Sequence, residues 1–250
     1  MISLNQLTSL VNSLKSVDKN TARTIIKLVN VDVLKSLGDS KYLIQINDKT
    51  LTAQSQKQLQ EGSSYFARYD AKQKTLPQLS KLINIPNLFK NQHILKDANL
   101  TYDIKTLQHI LNSKEPAKTI KEQILDELSK SQNKEHFQTV SNLLLSLNQN
   151  VLSFPFIIYE YFGLLQLKKR YNKKTKKSYL NFYAIFEHLG PISGVISEDS
   201  ISLNVAYDEI KDFLDENLDE ISYNITLHVM DNIEPLYDIN KNDKLLDIQV

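Results

Sequence analysis

Between Tyr179 and Met230 the hydrophobic period changes from two to 3.6 and back to two, and few architectures accept that within about fifty residues. Leu180, Phe182, Ala184 and Phe186 alternate with Asn181, Tyr183, Ile185 and Glu187, which predicts a strand with one side buried and the other partly wet. Leu189-Gly190-Pro191 ends it, because glycine accepts the positive φ of a tight turn and proline has no N–H for a ladder. Ile192 to Ile196 and Ile201 to Val205 are two short apolar runs around Glu198-Asp199-Ser200, the pattern of a hairpin. Tyr207, Ile210, Phe213, Leu214 and Leu218 then fall at helical spacing, and Ile221, Tyr223, Ile225, Leu227 and Val229 return to alternation. A helix laid on one face of a sheet satisfies both periods at once.

That order of elements, with the LGPISG turn at Leu189 to Gly194, resembles the C-terminal domain of the flagellar hook-length control protein family. In that family the turn follows an apolar strand as leucine-glycine plus a third residue that is often proline or arginine. The likeness covers Tyr179 to Val250, and a weaker one, carried by pattern alone, links Tyr42 to Asp70 with the small β-module that often precedes this domain. The resemblance implies a non-enzymatic protein-binding factor of the flagellar type III export apparatus. Its partner would be the cytoplasmic part of the export gate's switch component, and its role control of substrate switching or hook length. It places the contact between Leu189 and Val205 and along Ile221 to Met230, with Leu189, Gly190 and Pro191 the residues matched by motif. It also implies a cytoplasmic location, with export through the flagellar system as the alternative. The chain departs from the family in having no long proline- and glutamine-rich ruler upstream, so length measurement itself is not implied.

At 250 residues the chain is long enough for one large domain or two to three small ones. With 41% hydrophobic and 24% charged residues its composition is that of a globular protein, and a net charge of +1 gives no global field for nucleic acid or an anionic membrane. Cysteine is absent, which excludes disulfides, thiolate catalysis and cysteine-ligated metal. No cleaved signal peptide is expected, and no segment approaches the ~20 apolar residues of a membrane span. Five glycines are too few to suggest a phosphate-binding loop.

Taken in order, Leu4, Leu7, Leu10, Val11 and Leu14 predict a short amphipathic helix that packs on its own chain or on a partner. Leu28 to Leu34, Lys41 to Ile46, Thr50 to Ala53 and Tyr65 to Tyr69, separated by Gly38-Asp39-Ser40, Asn47-Asp48-Lys49 and Glu61-Gly62, predict a small barrel or curled sheet of the oligonucleotide-binding kind. Tyr65, Phe66, Arg68 and Tyr69 offer aromatic and cationic residues on one strand, but alternation splits Tyr65 from Phe66, so core packing competes with base stacking as their role. Thr75 to Asn99, with Pro77 and Pro86, is expected to be a connector with one helical turn near Gln78 to Ile83. Three helical patterns follow, marked by Leu100 to Leu111, Ile120 to Leu128 and Phe137 to Leu147, joined closely enough to be antiparallel neighbours. Val151 to Gln166, interrupted by Pro155 and Gly163, predicts a strand entered through Pro155 and paired with Tyr179 to Phe186, an interfacial segment being the alternative.

The connection between those strands, Lys168 to Lys177, is the strongest local charge feature. Lys169, Arg170, Lys173, Lys174, Lys176 and Lys177 repel one another, stay solvated and suit a phosphate backbone or an acidic protein surface, or else protect the sheet against edge pairing. Acidic residues gather on the later helix as Asp208, Glu209, Asp212, Asp215, Glu216, Asp219 and Glu220, and opposed charged zones point to protein docking more than to a nucleic-acid groove.

Catalytic patterns are poor. The five histidines have no HExxH-type spacing, Asp215 and Asp219 sit on an acidic solvated helix, and there is no GxSxG, phosphate-loop or dinucleotide motif, so no enzyme, metal or cofactor is expected. The expected fold is α+β: a small β-barrel-like N-terminal module in residues 1–85, a helical segment in 86–150 and a mixed sheet with one packed helix in 151–250. The alternative function is a nucleic-acid-binding accessory protein using the β-module and the basic hairpin.

Overall fold

The computed structural model describes residues 28–46, 48–68, 80–131, 133–158, 161–218 and 224–239. The expected N-terminal helix at Leu4 to Leu14, Tyr69, the Asp219-Glu220 pair and Ile221 to Tyr223 lie outside the described residues. The fold is α+β, with an antiparallel sheet, a helical middle and a mixed sheet carrying one helix.

The first sheet contains β1 (Leu28–Gly38), β2 (Lys41–Ile46), β3 (Lys49–Gln54), β4 (Ser64–Arg68) and β5 (Ser80–Ile85), in the order β3-β2-β1-β4-β5. Asp39 and Ser40 both have positive φ, 48° and 59°, so β1 and β2 join through the two-residue turn that matches strand twist. β4 returns beside β1 after a longer connection, which makes β1 to β4 a Greek key. β3 and β5 do not pair, so the expected barrel is an open sheet. β5 also replaces the helical turn expected near Gln78 to Ile83. Leu82 packs into the small core of this sheet while Ile83 and Ile85 enter the larger core, and burial on both faces erases the alternation that would have announced a strand.

The connector expected before the helices holds two short ones, α1 (Asn87–Lys90) and α2 (Gln92–Asp97). Next come α3 (Ile104–Leu111), capped by Asp103, α4 (Pro116–Ser129), with proline in its first turn, and α5 (Lys134–Asn148), capped by Asn133. α4 packs on α5, and both α3 and α5 reach the second sheet at its first strand.

That sheet contains β6 (Leu152–Ile158), β7 (Tyr161–Asn172), β8 (Lys177–Phe186), β9 (Gly190–Ile196), β10 (Ser200–Val205) and β11 (Asn224–Val229), ordered β11-β10-β9-β8-β7-β6. Where one strand was expected from Val151 to Gln166, two run antiparallel, Ile158 opposite Tyr161 and Phe156 opposite Gly163. The ring of Phe156 fills the space a side chain at position 163 would need, so Gly163 is a packing glycine and not a strand breaker. β10 and β11 are parallel, and the crossover is α6 (Asp208–Asn217), whose Ile210, Phe213 and Leu214 are buried.

The expected wet side of β8 is partly exposed at Asn181 and Glu187 but closed between them. Tyr183 and Ile185 are as buried as Phe182 and Ala184, because residues Ile233 to Asp238 fold back over the sheet as a strap. The side-chain amide of Gln166 donates to the Tyr237 carbonyl at 2.8 Å and accepts from the Tyr237 N–H at 3.1 Å. Asp238 accepts from the Asn84 amide at 3.2 Å and from the Asn87 N–H at 3.3 Å, tying the strap to the first sheet. Phe89 continues the link through ring contacts with Phe66 at 6.1 Å and Phe162 at 5.4 Å.

Candidate partner-binding surface

The basic stretch forms the far end of the β7–β8 hairpin. Its register is unbroken through Lys168–Asn181, Lys169–Leu180, Arg170–Tyr179, Tyr171–Ser178 and Asn172–Lys177. Strand alternation therefore puts Lys168 and Arg170 on one face with Tyr179 and Asn181, and Lys169 and Tyr171 on the other. Asn172 shapes the tip by accepting from the N–H groups of Lys174 at 2.9 Å and Thr175 at 3.3 Å, and Lys176 completes the turn at φ 53°. Lys169, Arg170, Lys173, Lys174, Lys176 and Lys177 are all solvent-exposed, and Tyr171 beside them is 59% exposed.

Among the described residues only Lys177 of this group forms an ion pair, with Glu198 of the β9–β10 turn at 3.4 Å. Partial desolvation, and then the Arg170 guanidinium, hold the Lys168 ammonium below the usual lysine range. A bound carboxylate or phosphate would relieve that repulsion. The sequence pattern located these cations, but only strand register shows that they divide between two faces.

Leu189, Gly190 and Pro191 lie elsewhere and differently. The turn occupies Glu187 to Leu189, and Gly190 and Pro191 open β9. Gly190 has φ 69°, and a Cβ there would meet Leu28 and Tyr207, so this corner is packed against the first sheet. Leu189 is 8% exposed and Pro191 is buried. Lys177 and Phe186 bracket β8 and are roughly 30 Å apart at ~3.3 Å per residue, so the hairpin tip and the glycine-proline corner do not form one site.

The acidic helix is partly consumed inside the molecule. Glu209 pairs with Arg68 at 2.9 Å and Asp208 with Lys81 at 3.6 Å, both cations coming from the first sheet. Asp215 pairs with Lys211 at 2.6 Å. Asp212 and Glu216, one turn apart and exposed, have no ion pair among the described residues. Sequence reading missed the Arg68 and Lys81 pairings, since only the packing of the two sheets brings those residues to α6.

The aromatics of the first sheet face inward. Tyr42 and Tyr65 are buried, and their hydroxyls accept from the N–H groups of Leu59 at 3.3 Å and Gln60 at 3.1 Å. Phe66 lies in the larger core. The outer face of β2 and β3 presents Lys41, Leu43 and Gln45 opposite Gln54, Thr52 and Thr50, with no aromatic platform. His188 stacks edge-on against Tyr161 at 4.6 Å, and His136 sits 3.5 Å from Glu127. Among the described residues no three His, Asp or Glu side chains gather as metal ligands, and no helix is long and apolar enough to cross a membrane.

A Greek key extended by a fifth strand is the arrangement of a partly open oligonucleotide-binding-type sheet, and residues 14–76 match the family model of the TP0910 S1-like domain. The match spans about a quarter of the chain and marks a likeness of this β-module to S1-like domains. No curated protein and no solved structure matches it.

Proposed function

We propose that the chain is a non-enzymatic protein-binding factor that docks another protein through its C-terminal sheet, in the manner the resemblance to hook-length control proteins implies. The observation that supports this is the run β8–β9–β10–α6–β11, strand, glycine turn, hairpin, acidic helix and final strand, in the order that carries the resemblance. The partner in this reading is the cytoplasmic part of the flagellar export gate's switch component, and the role is substrate switching. Residues 80–158 supply folded helices and strands where a ruler would be extended, so the reading favours switching over length measurement. Affinity purification from the native cell tests it. Export-gate components should co-purify and survive replacement of Lys173, Lys174, Lys176 and Lys177 by glutamine; their absence would refute the flagellar role.

A second reading is favoured by two observations, the exposed cations of the β7–β8 hairpin and the S1-like match. In it the chain binds single-stranded nucleic acid, with the hairpin holding phosphates. Binding of a labelled oligouridylate should then be salt-sensitive and lost in the same four-lysine variant. No binding at low ionic strength would end that reading.

A further inference from the structure

We infer that the cleft between α5 and the α1–α2 corner is a ligand site for a planar, amino-bearing heterocycle of the nucleobase kind. α1 and α2 pack on α5, and residues of both sides line a cavity of about 380 Å³, within the range of small-molecule pockets. Asn87 and Asn91 wall it on one side, and Glu135, Phe137, Thr139 and Asn142 of α5 on the other. The Asp238 carboxylate accepts from the Asn87 N–H at 3.3 Å, so the strap braces the first wall.

Asn142 carries the argument. It is 5% exposed and lines the cavity, yet among the described residues its carboxamide has no hydrogen-bond partner. Leaving a buried amide unpaired is costly, and folded proteins rarely do it without a use for the group. One helical turn away, Asn91 Nδ2 donates to Thr139 Oγ1 at 2.9 Å. That bond leaves the Asn91 carbonyl oxygen as an acceptor and the Thr139 hydroxyl proton as a donor.

The lining selects the ligand. A carboxamide offers a donor and an acceptor in one plane, so the partner of Asn142 must present both side by side. An ammonium or guanidinium has donors only. A carboxylate or phosphate has acceptors only, and no lysine, arginine or histidine lines the cavity to hold an anion. The edge of a nucleobase, an amino N–H beside a ring nitrogen, satisfies both atoms at once. Glu135 and the Asn91 oxygen supply further acceptors, so amino-bearing adenine and cytosine fit better than uracil. Phe137 lines the cavity while 53% exposed, which gives a base a ring to stack on. This inference does not depend on what the basic hairpin binds.

The test is an NMR titration of the full chain with adenosine, cytidine, uridine and glucose, and with an oligoadenylate to separate a free nucleoside from a base within a strand. Adenosine and cytidine should shift the Asn142 side-chain amide saturably, and uridine should bind about five-fold more weakly, the worth of one hydrogen bond. Phe137→Ala, at an exposed position, should keep the fold and weaken adenosine about five-fold or more. Asn142→Leu should weaken it about five-fold or more without lowering Tm, because the amide it removes has no partner in the protein. A merely structural Asn142 would instead show a lower Tm with binding kept. Oligoadenylate binding no tighter per base than adenosine identifies the ligand as a free nucleoside; tighter binding, lost in both variants, identifies a base within a strand. No saturable shift with any nucleoside, glucose bound as well as adenosine, or unchanged adenosine affinity in either variant would overturn the proposal.

Discussion

Replacing Gln166 by methionine tests how the strap is held. The amide is fully buried and pairs with both backbone groups of Tyr237, so it acts as a short length of neighbouring strand for a segment that has none. Methionine keeps nearly the same length and volume but satisfies neither group. Each buried unpaired backbone group costs about 1–3 kcal/mol, partly offset because a buried amide no longer needs partners, which leaves a net loss of about 2–4 kcal/mol. For a chain of this size that is a fall in Tm of about 5–12 °C. Urea unfolding gives the free energy, and hydrogen exchange locates it. The Tyr237 amide should lose protection in the variant while amides in β8 keep theirs. A loss under about 0.5 kcal/mol, or unchanged exchange at Tyr237, would refute the claim that this amide clamps the strap. Gln166→Glu sharpens the point. Its carboxylate would face the Tyr237 carbonyl near neutral pH and be worse than methionine, and recovery is expected as the pH falls and the protonated acid regains a donor.

Other outcomes follow from the same geometry. Gly194→Ala should cost about 1–3 kcal/mol in chemical unfolding, because the new methyl collides with the Ser202 carbonyl and sits 2.7 Å from Phe182 Cε1. Burial pushes the Tyr102 and Tyr237 hydroxyls up to about 12, and burial first and Asp238 second push Tyr183 well above the ordinary tyrosine range. A raised folded value means that the stabilisation is complete below about pH 10 and is lost as pH climbs through the folded value. Stability should therefore decline above about pH 10, and the 295 nm absorbance of these tyrosines should rise only near pH 12 or with unfolding. If the hairpin binds single-stranded nucleic acid, Lys168→Gln with Arg170→Gln should reduce the slope of log K against log salt by about 1.4; an unchanged slope would place the phosphates elsewhere.

Most of the strands could be read in the sequence because turn chemistry and alternation agreed. Gly38-Asp39-Ser40 and Glu198-Asp199-Ser200 mark turns that the structure contains, and the shift to helical spacing at Tyr207 marks α6. Two of the misses share one cause. β5 and β8 lie between two packed layers, so Leu82 and Ile83, or Tyr183 and Ala184, are buried on opposite faces and the period of two disappears. The reversal between Ile158 and Tyr161 falls in an apolar run whose only glycine, Gly163, is needed for packing against Phe156. For the candidate site, the basic run was visible as composition, whereas the withdrawal of Leu189 and Pro191 into the junction with β1 depends on contacts far apart in sequence.

The two charged zones are not equivalent, and the difference bears on which partner fits. α6 commits Asp208 and Glu209 to Lys81 and Arg68, so part of the acidity joins the two sheets and is not offered to a ligand. The hairpin commits only Lys177 among the described residues, to Glu198 of the β9–β10 turn, where Asp199 adds a second exposed carboxylate. A polyanion drawn to the hairpin would meet those two carboxylates beside Lys177, and at physiological salt the Debye length of about 8 Å leaves such neighbours felt. A protein surface of mixed charge can complement the cations and these carboxylates together. A polynucleotide can use only the first, which is the physical reason to place protein docking ahead of nucleic-acid binding for this sheet.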